Sequence, residues 1–298
     1  MNARRWAAGA ALGMSLVVAG CATDRPVAEV RMFAQAVEAL ETASEPLLDD
    51  LSAADKVQGQ RAYRADAKAR NLLLTGYGAS RVEGFDANSA YYFSTLSDTQ
   101  AVLALRGGLS AVRSYAGVLR LLAEDGNVDE ARGELATIGT GLLGLAGVGT
   151  PALTGVSAAF AELKGVIDAA LGAANAEELQ RLVLDGAPQV KAVIAALRDG
   201  SAAMFRTLSY DASNAFDIAT DRAAAATAAA RIDGLRVALS DYVVLLDRVS
   251  EALDALVAGY RTPAAPATLS NLAQRSATLG ADARAWRRAY AALRRDGR

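Results

Sequence analysis

IDGLRVALSDYVVLLDRVSEALDALVAGY, residues 232 to 260, carries large apolar side chains at Ile232, Leu235, Leu239, Tyr242, Leu246, Val249, Leu253, Leu256 and Tyr260. Steps of three and four alternate through four heptads without a break, which puts all of these residues on one stripe of a helix. A half-buried strand would need alternation at every second residue, and no segment of the chain sustains it. The same rhythm recurs at Val102, Leu105, Leu109, Val112, Ala116 and Leu119, and again at Leu269, Leu272, Ser276, Leu279, Ala283, Trp286, Tyr290 and Leu293. Seams of this kind bury one another, so the chain reads as all-α: an elongated antiparallel helical bundle with coiled-coil-like heptad packing. Helices are expected at 27 to 75, 88 to 124, 127 to 147, 151 to 173, 175 to 208, 214 to 260 and 268 to 295. A helix over 214 to 260 would be roughly 70 Å long at 1.5 Å per residue, which makes the bundle a rod.

The ends of these segments carry suitable chemistry. Asp125-Gly126-Asn127 can end one helix and cap the next, and Asn175 stands before Ala176-Glu177-Glu178, acids in a first turn. Pro188 should kink or end the pattern it interrupts, and Thr262-Pro263-Ala264-Ala265-Pro266 reads as a stiff linker. Thr75 to Asp86 is the most loop-like stretch.

Composition narrows the function. Hydrophobic residues make up 52% and aromatics 6% of 298 residues, with six prolines, a helical composition long enough to bury a large core. Histidine is absent, which removes the commonest general base and metal ligand and excludes Ser-His-Asp and Cys-His catalytic sets. No cofactor motif or catalytic set is present, so an enzyme is not expected.

Cys21, the only cysteine, lies in LVVAGCATD. Before it come Arg4 and Arg5 and an uncharged run from Trp6 to Gly20, the layout of a secretory signal too short to span a bilayer comfortably. Val18-Ala19-Gly20-Cys21 resembles the lipobox of bacterial lipoproteins. The resemblance implies cleavage after residue 20 and acylation of Cys21, so residues 1 to 20 read as the signal peptide, 21 to 26 as a lipidated tether and 27 to 298 as the bundle domain. It also implies, with Ala22 rather than aspartate next, an outer-membrane address facing the periplasm. Cleavage removes Arg4 and Arg5 and leaves 29 basic against 33 acidic residues, 29 − 33 = −4, so no nucleic-acid partner is expected.

Leu135 to Ala161 is uncharged, with six glycines and Pro151. Its heptad continues on both sides of the turn at Gly147 to Pro151, through Leu135, Ile138, Leu142 and Leu145, then Leu153, Val156, Phe160, Leu163 and Ile167. Two environments fit this hairpin: the centre of the bundle, which is preferred, or a membrane, in the manner of the apolar head of helical pore-forming toxins. Arg287, Arg288, Arg294 and Arg295 make the last helix basic, either as a solvated face suited to a helix C-terminus or as a contact for anionic lipid. The acids at Glu130 and Glu134, Glu177 and Glu178, and Asp49 and Asp50 read as surface charge. Tyr63 with Tyr91-Tyr92-Phe93 suits either packing at a helix end or a ligand cleft. The expected function is that of a membrane-anchored structural or interaction protein with an envelope partner; the alternative is a membrane-perturbing bundle using the hairpin.

Overall fold

A computed structural model describes residues 27–65, 87–124, 127–143, 154–261 and 266–296. Among these residues every regular element is helical and no strand occurs, so the fold class is all-α. The helices are α1 (Val27–Ala65), α2 (Ala90–Phe93, preceded by a 3-10 turn at Ala87–Ser89), α3 (Gln100–Ala123), α4 (Val128–Leu143), α5 (Thr154–Leu171), α6 (Ala176–Asp185), α7 (Ala187–Asp217), α8 (Arg222–Arg261) and α9 (Pro266–Asp296).

Local chemistry sets several boundaries where the sequence places them. Asn175 accepts from the Glu178 amide at 2.8 Å while the Glu178 carboxylate accepts from the Ala174 amide at 2.9 Å, a reciprocal cap that starts α6. Pro188 falls in the first turn of α7, where its missing N–H costs no intrahelical bond. Asn127 accepts from the Asp129 amide at 2.9 Å and opens α4.

Several boundaries differ from expectation, and the single helix expected over 175 to 208 divides at Gly186 into α6 and α7. The helix expected over 88 to 124 is broken at Ser94–Thr99, where the Ser94 hydroxyl accepts from the Leu96 amide and Lys56 donates to the Ser94 and Ser97 carbonyls at 2.9 and 2.7 Å. Hydroxyls in Ser-Thr-Leu-Ser-Asp-Thr compete for backbone groups, and Lys56 rewards the break. Further on, α7 runs to Asp217 instead of ending near 208, and α8 begins at Arg222 rather than 214. Buried Ser209 and Ala212 keep α7 on the core, Arg61 of α1 pairs with Asp211 at 2.7 Å, and Asp221 caps α8 by accepting from the Ala224 amide.

Side-chain pairs give the helix directions. Arg31–Glu124, Glu41–Arg113 and Asp49–Arg106 run up α1 and down α3. Lys191–Asp254 and Arg198–Asp247 do the same for α7 and α8, as do Glu251–Arg275 and the hydrogen bond from Trp286 to the Ala238 carbonyl for α8 and α9. Leu105 meets Gly200 and Leu197 meets Gly108, so α3 and α7 are also antiparallel. The ring α1, α3, α7, α8, α9 then closes with a pair that is not: Ala36 lies against Gly280, and Asp50 meets Tyr290 and Arg294, so α1 and α9 are parallel. Directions can alternate around a closed ring only if its members are even in number. With five, one neighbouring pair must agree, and it is the first and last helix, which no short loop joins.

One apolar core runs through α1 and α3 to α9, and it takes in the heptad residues Leu235, Leu239, Tyr242, Leu246, Val249, Leu253 and Leu256. Leu135, the first residue of the uncharged stretch, and Leu163 and Ile167, just beyond it, are buried in the same core. Residues 144–153 between α4 and α5 lie outside the described residues.

Candidate functional site

The short helix α2 contributes no buried residue, yet it is held firmly to α1. Gly59 lets the Tyr92 ring lie on the α1 backbone: a Cβ there would stand 2.1 Å from the ring. Gln60 donates to the Tyr92 carbonyl at 2.8 Å, and Tyr63 meets Phe93 edge to face with ring centroids 5.3 Å apart. On the other side, Gln58 donates to the Thr207 carbonyl of α7 at 2.8 Å.

These ties leave a cavity of about 210 Å³ between α1, α2, the start of α3 and the middle of α7. Leu51, Leu105 and Met204, all buried, make its apolar wall. Gly200 faces Leu105 across ordinary contact distance and contributes no side chain of its own. The polar lining comes from Asp55, Asn88, Thr99 and Gln100, with Tyr91 and Tyr92 beside them. Burial pushes the Tyr92 phenol above its ordinary range, and the negative charge of Asp55 adds to the shift.

Two of these groups are unusual. Thr99 is 1% exposed and sits at the N-cap position of α3, but its hydroxyl does not cap the helix and has no partner among the described residues. Asp55 is half-buried and no described cation pairs with it, whereas nearby Asp49, Asp98 and Asp211 each hold an arginine. The aromatic concentration thus divides between both roles open to it: Tyr63 and Phe93 pack, and Tyr91 and Tyr92 line a cleft.

The other residues singled out from sequence lie elsewhere. Cys21, Leu145 and Leu153 are outside the described residues; Leu142 and Phe160 fall within α4 and α5. Arg287, Arg288 and Arg295 are exposed on α9, while Arg294 turns to Asp50 at 3.0 Å and is half-buried. Leu51, Asp55, Thr99 and Met204 carry no sequence signal as a set, because three separate helices bring them together. No family model, curated protein or solved structure matches this chain.

Proposed function

We propose that this chain is a lipid-anchored helical-bundle protein of the bacterial outer membrane, facing the periplasm, that binds another envelope component rather than catalysing a reaction. The observation that carries the reading is the spacing of two features: the lipobox cysteine Cys21 stands six residues before Val27, where α1 begins. Six residues reach at most about 20 Å when extended, so an acyl chain on Cys21 would hold the start of α1 beside the bilayer. Two or more such chains make an anchor that stays in place. The body has the long members that a rod needs, since the 40 residues of α8 span about 60 Å. Burial of Leu135 and Ala159, both within the uncharged stretch, in the core favours a binding bundle over a membrane-inserting hairpin.

Labelling with a fatty-acid analogue, followed by cross-linking and capture from whole envelopes, tests the reading. The parent chain should label and bring down the same envelope component repeatedly. Cys21→Ala should lose the label and leave the membrane fraction. Unchanged labelling of that variant, or leakage of dye from liposomes by the parent protein, would overturn the proposal.

A further inference from the structure

We infer that the cavity between α1, α2, α3 and α7 binds a small organic ammonium compound bearing a hydrogen-bond acceptor on an apolar body, the chemistry shared by amino-acid amides and peptide N-termini. This site stands independently of the lipid anchor.

Three features select that chemistry. Asp55 lines the cavity half-buried with no described cation beside it, and Lys56, its neighbour in sequence, is committed to the Ser94 and Ser97 carbonyls. A carboxylate set against apolar walls without a counter-charge favours a cation from outside, and the aromatic residues Tyr91 and Tyr92 belong to the same lining. The Thr99 hydroxyl, buried in the same lining, has no partner among the described residues, and α3 begins without a side-chain cap. That hydroxyl and the uncapped first amides are donors that want an acceptor such as a carbonyl oxygen. Leu51, Leu105 and Met204 share the lining and offer nothing but apolar contact.

Alternatives fail on the same features. A bare metal or halide ion would leave the apolar wall of a cavity of about 210 Å³ unfilled. A hydrocarbon would bury Asp55 and Thr99 unpaired, which is costly. An anion would meet Asp55 directly. The exposed edges of Tyr91 and Gln100 leave an entrance.

Isothermal titration of the full-length chain in detergent, at mildly acidic pH where the amine is protonated, tests the inference with two matched probes. Leucine amide has the ammonium, the acceptor and an apolar body; N-acetyl-leucine has the same body and a carboxylate but no ammonium. Leucine amide should bind and N-acetyl-leucine should not. Asp55→Asn should weaken leucine amide about tenfold, the loss expected for a charge-assisted bond, and Thr99→Val should weaken it severalfold. Discrimination between the probes by the unaltered chain keeps the test decisive even where a variant unfolds. Absence of leucine amide binding, equal binding of the two probes, or a folded Asp55→Asn variant of unchanged affinity would overturn the proposal.

Discussion

Tyr242 is fully buried in α8, and its hydroxyl has no partner among the described residues. Its ring stacks on Trp286 with centroids 5.7 Å apart, and burial pushes its phenol well above the ordinary range. The neighbouring aromatics are better placed: Trp286 donates to the Ala238 carbonyl at 2.8 Å, and Tyr290 to the Asp50 carboxylate at 3.0 Å. A buried hydroxyl left unpaired costs about 1 to 3 kcal/mol, whereas a paired one contributes about 1 kcal/mol. Tyr242→Phe should therefore stabilise the bundle by about 1 kcal/mol and Tyr290→Phe should destabilise it by a similar amount, in opposite shifts of the denaturant midpoint. Glu41 gives a residue-level pH dependence. Burial raises its carboxyl above 4.5, and this outweighs Arg113 at 2.8 Å, while Glu45 and Glu38 add to the rise. The folded chain thus holds this proton more tightly than the unfolded chain does. The stability it contributes is complete below the unfolded carboxylate pKa and is lost as pH rises through the raised folded value. Glu41→Gln should flatten that loss in unfolding curves taken across the acidic range.

At the scale of the element, the legible parts are those whose signals are local. Asn175 starts α6 by chemistry contained within a few residues and is read correctly without a structure, whereas Pro188, expected to kink or end one helix over 175 to 208, sits in the first turn of a new helix, α7. The break at Ser94–Thr99 had a signal too, a run of hydroxyls and an aspartate before the heptad at Val102, but its weight comes from Lys56, distant in sequence. The turn at Ile218–Asp221 is the opposite case: Ser, Asp and Asn at 209 to 214 suggest an earlier end, and packing of α7 on α1 carries the helix through them. Docking of α2, held also by Gln60 and Tyr63, needs one absent side chain at Gly59. Alanine is a better helix former than glycine, so on propensity alone Gly59→Ala would gain about 1 kcal/mol. A Cβ there must instead displace the Tyr92 ring, an overpacking that costs about 1 to 3 kcal/mol. Thermal unfolding should show Gly59→Ala no more stable than the parent, and Gly59→Leu clearly less so.

For the whole molecule, the odd ring of long helices makes a sharper claim than helical content alone. With Asp50 held against Arg294, an antiparallel α9 would carry Gly280 away from Ala36, but the Ala36 Cβ lies 3.9 Å from where a Cβ on Gly280 would stand. That separation is within the range a disulfide spans. In a Cys21→Ala background, Ala36→Cys with Gly280→Cys should form an intramolecular cross-link under mild oxidation, seen as faster migration without reductant. Failure of a folded double variant to cross-link would refute the parallel contact. The cavity belongs to this scale as well. It exists because α1 touches α7 in parallel near Gln58 and Thr207 while α3 begins beside them, a meeting of three helices.

The sequence by itself determined the helical class, most helix positions and the residues of the core. Heptad spacing and capping act within a few residues, and every register of packing obeys them. Leu239, Leu246 and Leu253 are buried because a stripe of leucine must leave water whatever it meets. Tertiary structure decided which stripes met, that α1 and α9 run in the same direction, and that Asp55, Thr99 and Met204 share a cavity. Apolar seams attract one another without regard to direction or partner. The choice among them falls to pairs such as Asp50 with Arg294 and to close approaches such as the Ala36 backbone at Gly280 and the Tyr92 ring at Gly59, which exist only after the chain has folded.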